Sequence, residues 1–140
     1  DIEILFSGKK YFTQVIRGRE ACDMPSRRWN KPSIMLTCEA NYSNAHGTPW
    51  VYQHRGIGKV VGMPVPGTMT SVSWETLQDP TLYFGIPIVG YRLPDGSYLE
   101  NKQLEPDVKI ANSPEKIIKG VDEQLETAVK ELLKEIDAGK

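Results

Sequence analysis

The sequence predicts one α/β domain, and three stretches carry that expectation. Ser33-Ile34-Met35-Leu36-Thr37-Cys38 and Lys59-Val60-Val61 are short, nearly continuous apolar runs, the pattern of strands covered on both faces in a parallel sheet. Between them lie a turn-rich segment and a stretch of helical character, so the order is strand, turn, helix, strand, the grammar of an α/β unit. Near the end, Val121, Leu125, Val129, Leu132, Leu133 and Ile136 recur at helical spacing and predict a terminal amphipathic helix.

Taken in order, Ile4 to Ser7 reads as a helix tail closed by Gly8, glycine being the usual residue after a helix because it tolerates φ > 0. Tyr11 to Ile16 is β-branched and aromatic, a strand candidate. Arg17 to Pro32 is polar, with Pro25 and several arginines, and reads as a long irregular connection. After the run ending at Cys38, Asn41 to Gly47 is rich in turn and cap residues. A helix is expected over about 46–55, with Pro49 tolerable in its first turn and Gly56 and Gly58 ending it. Gly62 to Thr70, with two prolines, is a shaped loop. Strands resume near Ser71 to Trp74 and across Tyr83 to Arg92. The turn Leu93-Pro94-Asp95-Gly96-Ser97 then predicts a hairpin with Tyr98-Leu99. Ser113-Pro114-Glu115 is a helix start and Gly120 a stop, before the final helix from Asp122, where Glu126 and Lys130 stand at i,i+4.

A chain of 140 residues has enough length for one core, burying roughly 70% of its unfolded surface. The formal net charge of -1 gives no electrostatic footprint for nucleic acid or an anionic membrane. No apolar run approaches the ~20 residues of a membrane helix. Two cysteines, Cys22 and Cys38, form neither a disulfide framework nor a metal cluster and leave the redox compartment open. The start, Asp1-Ile2-Glu3, shows no initiator methionine and no leader pattern, so a fragment beginning inside a larger protein is expected.

The candidate for chemistry is Ser43, placed after a buried strand and at the head of a helix. Free backbone N–H groups and the helix dipole favour a developing negative charge there, and a serine hydrolase needs such donors beside an exposed hydroxyl. On these residues alone, a plain helix cap at Ser43 or Asn44 is the better reading. The three tryptophans, the Met63-Pro64-Val65-Pro66 loop and the arginines between 17 and 28 read first as core, shape and solvated surface.

Several segments change that weight. They are Arg28-Trp29-Asn30-Lys31-Pro32, Tyr42-Ser43-Asn44-Ala45-His46, and Gly56-Ile57-Gly58-Lys59-Val60-Val61-Gly62. Further on come Asp95-Gly96-Ser97-Tyr98-Leu99-Glu100-Asn101, Glu105-Pro106-Asp107, and Gly120-Val121-Asp122-Glu123-Gln124-Leu125. In order and spacing they resemble the peptidase domain of the tricorn and carboxy-terminal processing protease family of serine peptidases. The resemblance implies a Clp protease/crotonase-like β-β-α spiral, with residues 1–140 forming its carboxy-terminal portion. It implies that Ser43 is the nucleophile, Asn44 a backbone oxyanion donor, and Glu100 the support of a catalytic histidine upstream of the chain. In the family's other branch a lysine acts as base; Thr68 stands at that place here, and threonine accepts no proton near neutral pH. A Ser43–His46 pair is disfavoured, since a base also needs a third group to orient it, and His54 reads as a helix-end residue.

The implied parent is a peptidase that hydrolyses peptides through an acyl-enzyme, without metal or organic cofactor, acting on a peptide or protein substrate and assembling as a homo-oligomer. The compartment is left open between the envelope or periplasm and the cytoplasm of a prokaryote. The rivals are a non-catalytic relative that binds peptides or scaffolds an oligomer, and a crotonase-like acyl-thioester enzyme. The fragment itself is expected to be inactive.

Overall fold

A computed structural model describes residues 2–139, apart from the side chain of Glu3. Its centre is a three-stranded sheet formed by β3 (Ile34–Thr37), β4 (Lys59–Gly62) and β7 (Val108–Lys109), in the order β3-β4-β7. Both pairings are parallel, with Met35 opposite Val60 and Val61 opposite Val108. Val60 and Val61 are fully buried, as their apolar run predicts. Leu36, in contrast, is exposed, so β3 is covered less completely than its sequence suggests.

The helix α2 (Asn44–His54) links β3 to β4. It starts two residues earlier than expected, which moves Pro49 out of the first turn. Proline has no N–H to give the carbonyl four residues back. Here that carbonyl, Ala45 O, receives the side-chain amide of Asn41 at 2.9 Å instead. A buried proline is thereby tolerated inside the helix. The far end closes as expected: Gly56 has φ 63°, Gly56 N–H donates to Gln53 O, and Ile57 N–H to Tyr52 O, a Schellman cap.

Around this unit the chain differs from the sequence expectation in three places. After α1 (Ile2–Phe6) and Gly8 (φ 65°), β1 (Phe12–Ile16) does not lead into an irregular connection. It turns at Arg17-Gly18 and pairs antiparallel with β2 (Arg19–Met24). Gly18 supplies the φ of 88° that a two-residue turn demands. Second, β5 (Thr70–Thr76) and β6 (Tyr83–Gly90) form a separate antiparallel ribbon. The hairpin expected with Tyr98-Leu99 shrinks to a single bridge between Arg92 and Tyr98.

The third difference concerns α4 (Glu123–Asp137), which follows the short α3 (Pro114–Ile117). Asp122 caps it by accepting from Leu125 N–H. The helix packs on β3 and β4, but its buried contact is Ala128, while Leu125, Val129, Leu133 and Ile136 stay exposed. Lys59, at the start of β4, binds Glu131 at 2.9 Å and Glu135 at 3.5 Å, so the side of the helix that carries these carboxylates faces the sheet. No described helix is long and apolar enough to cross a membrane.

Candidate active site

The turn between β3 and α2 is built by residues that leave one serine in an unusual state. Thr37, buried at the end of β3, donates its hydroxyl to Met63 O and accepts Met63 N–H at its carbonyl, both at 3.0 Å. These bonds lock the ends of β3 and β4 together. Asn41 then organises the turn: its side-chain oxygen accepts from Cys38 N–H, and its amide reaches Ala45 O. Ser43 follows with φ 56° and ψ -117°.

Those angles belong to the first central position of a type II′ turn, normally held by glycine. Tyr42 O accepts from Ala45 N–H at 3.0 Å, the bond that closes such a turn. A side chain held there costs on the order of 1–3 kcal/mol, and strain of this kind gathers at functional sites. A serine serving only as a helix cap would sit in the extended region and accept from the first helical N–H groups. Ser43 does neither. Ser43→Gly is therefore expected to raise stability by about 1 kcal/mol, measured by denaturant unfolding; a loss of stability would show that the turn holds no strain.

Around Ser43, most backbone donors already have protein acceptors. Its own N–H donates to Thr68 Oγ1 at 3.1 Å. His46 N–H and Gly47 N–H both reach Ser43 O. Among the described residues, no acceptor takes Asn44 N–H, so this first helical amide is free to meet a developing oxyanion. Asn44 also borders a cavity of about 440 Å³ lined by Gly47, Trp50, Val51, Met69 and Leu99. A larger cavity of about 610 Å³ touches Lys59 and Glu135. It lies by the start of β4, whereas Ser43 follows the end of its parallel neighbour β3; sites in open α/β sheets form at the carboxyl ends of strands.

Glu100 is half-buried and does not reach Ser43 directly. Its Oε2 accepts from Met69 N–H at 2.6 Å and from the Thr70 hydroxyl at 2.8 Å. The carboxylate therefore fixes the strand that follows Thr68, and Thr68 in turn holds the Ser43 amide. Gly67 makes this approach possible, since a Cβ there would lie 2.3 Å from Lys102 N. The sequence placed Thr68 at the position of a missing lysine; its bond to the Ser43 amide went unforeseen, as did the organising role of Asn41.

His46 is fully buried, and neither ring nitrogen has a hydrogen-bond partner among the described residues. Its ring therefore makes no hydrogen bond to Ser43. Burial pushes its pKa below the ordinary value, opposed by the nearby Lys102 backbone and the Glu100 charge. The unfolded chain then binds more protons below the ordinary histidine pKa, so stability falls as pH drops through that range. His46→Leu is expected to flatten this slope in thermal unfolding, and an unchanged slope would assign it elsewhere. His54 stacks on Trp50 with ring centroids 3.8 Å apart, and its Nδ1 meets Trp50 O at 2.9 Å. It is a helix-end residue.

The family model described as peptidase family S41 matches residues 3–110. The chain belongs to peptidase family S41. Among curated proteins there is no match. Solved structures similar to this S41 chain include the tricorn protease, with a TM-score of 0.78 and 22% identity over 97% of this chain and 13% of that one. A putative peptidase from Parabacteroides merdae matches with a TM-score of 0.61 and 25% identity, over 76% of this chain and 33% of that chain. Mature CPAF matches with a TM-score of 0.54 and 22% identity, over 61% and 16%. The S41 chain thus has the fold of the tricorn protease along nearly its whole length while spanning 13–33% of these three chains. The Clp protease/crotonase-like class follows from that likeness.

Proposed function

We propose that this chain is the nucleophile-bearing, carboxy-terminal portion of a serine-type peptidase, which cleaves peptide bonds through an acyl-enzyme on Ser43. The observation that supports this most is the Ser43 backbone: a non-glycine residue at φ 56°, between a parallel strand and a helix whose first N–H is free. In this reading Asn44 N–H is one oxyanion donor, and a histidine and a second N–H donor come from outside the chain. Attack by Ser43 Oγ passes its proton to that histidine and expels the amine, to which the proton is returned; water then releases the acyl group. Glu100 supports the histidine through the polar network that already holds Met69 and Thr70. The substrate is a peptide or protein, the working enzyme is a homo-oligomer, and no metal or organic cofactor takes part.

The alternative is a relative that binds peptides or scaffolds without cleaving. Turnover of a peptide ester separates the two. The longer polypeptide carrying this chain is expected to hydrolyse it, and residues 1–140 alone are expected to leave it intact. Turnover by the isolated chain that disappears in Ser43→Ala would refute the need for an outside base. Inertness of the longer polypeptide would favour the non-catalytic reading.

A further inference from the structure

One buried titratable group stands against the candidate site and takes no part in the reaction proposed above. His46 lies in the first turn of α2, and its backbone N–H donates to Ser43 O at 2.8 Å. Its ring is fully covered by this chain's own atoms, with Nδ1 and Nε2 both unpartnered among the described residues. A neutral imidazole carries one donor and one acceptor, and leaving both unmet in a protein interior is costly. A segment or subunit added outside would not reach either nitrogen.

The ring is acted on by the turn from Leu99 to Lys102, through the Lys102 backbone and the Glu100 charge. That turn is closed by Lys102 N–H on Leu99 O, while Asn101, at φ 61°, donates its N–H to Gly67 O. Glu100 Oε2 accepts from Met69 N–H and the Thr70 hydroxyl, and Thr68 holds the Ser43 amide. His46 thus sits where the Ser43 turn, the 67–70 loop and the 99–102 turn are tied together. Among the described residues, Glu100 is the one charged group that acts on the ring. Lys102 turns its ammonium to Ser97 Oγ, and Lys59, on β4, is taken by Glu131 and Glu135. The 67–70 loop, β3 and the described side chains of α1 carry no ionisable group.

We propose that His46 is a proton-operated positioning residue: as a neutral ring it keeps the Ser43 turn docked against the Glu100 turn, and on taking a proton from solvent it releases them. An imidazolium buried without acceptors is costly, whereas in a locally opened site the ring is hydrated and titrates as an ordinary histidine. Burial accordingly lowers its pKa in the closed site, opposed by the Lys102 backbone and the Glu100 charge. Below the ordinary histidine pKa the opened form therefore binds more protons. Each pH unit there raises the opening constant by up to about tenfold, until the ring titrates in the closed site too. Opening frees the Ser43 amide from Thr68 and the Met69 amide from Glu100. That this disarms a nucleophile rests on the reading of Ser43 given above; the opening itself does not.

The test is hydrogen–deuterium exchange on the longer polypeptide, read by mass spectrometry from about pH 7.5 to about pH 5.5 and corrected for the intrinsic pH dependence of exchange. In the native protein, peptides covering 43–47 and 67–70 should open by up to about tenfold more per pH unit below the ordinary histidine pKa. Val60 and Val61 should stay protected throughout. In His46→Leu, and in His46→Gln as a second ring that takes no proton, the pH response should vanish. Native protein whose site exchange ignores pH overturns the proposal. So does a response that survives in both variants, or one that Val60 and Val61 share, which would be global unfolding. Fluorophosphonate labelling of the same samples keeps the two readings apart. Proton-linked opening with Ser43 never labelled leaves the switch standing and removes the peptidase; labelled Ser43 with exchange that ignores pH does the reverse.

Discussion

On the proposed reading, Ser43→Ala in the longer polypeptide is expected to lower kcat by about 10⁴-fold or more while the protein stays folded. The size follows from the role: without the hydroxyl no acyl-enzyme forms, and what remains is binding and oxyanion stabilisation. Alanine at φ 56° keeps the same backbone strain as serine, so unfolding free energy should barely change. That contrast with Ser43→Gly is diagnostic. A capping serine would lose stability on truncation and leave any activity nearly intact. Steady-state kinetics on both variants, with denaturant unfolding alongside, separates the two roles.

The largest stability effect is expected at Gly62. It closes β4 at φ 134°, and a Cβ there would stand 2.0 Å from Thr37 O. No side-chain rotation relieves a clash with backbone. Gly62→Ala must therefore push β3 from β4 and strain the two bonds between Thr37 and Met63. Overpacking and positive φ together amount to about 4 kcal/mol, a large share of the roughly 5–15 kcal/mol that holds a domain. Thermal unfolding should show Tm falling by roughly 15 °C. Gly96→Ala is the control: it also has positive φ, at 86°, but its added Cβ meets nothing within 4 Å, so it should cost about 1 kcal/mol. Equal losses at the two glycines would mean that packing against Thr37 is unimportant.

How far the sequence foretold this molecule depends on the range of the interaction. The parallel strands around Met35 and Val60 were legible because burial on both faces leaves unbroken apolar runs. The helix ends at Gly56 and Asp122 were legible because caps are local. The β1–β2 hairpin was missed: its turn signal is one glycine, and its arginines and Cys22 resemble loop composition. The α4 stripe marks a helix correctly, yet the inward face carries Glu131, which meets Lys59 more than seventy residues away. At the site, the strand-turn-helix order pointed to Ser43, and the family resemblance pointed to Glu100. The positive φ of Ser43 and its amide bond to Thr68 emerge only when loops 25 residues apart meet.

The central claim concerns one hydroxyl, and covalent trapping tests it most directly. The longer polypeptide carrying this chain is treated with a fluorophosphonate and digested, and the adduct is located by mass spectrometry. The expected result is a stoichiometric phosphonyl group on the peptide containing Ser43, absent from Ser43→Ala and from unfolded protein. A catalytically active preparation that carries the label on another residue, or none on Ser43, would contradict it.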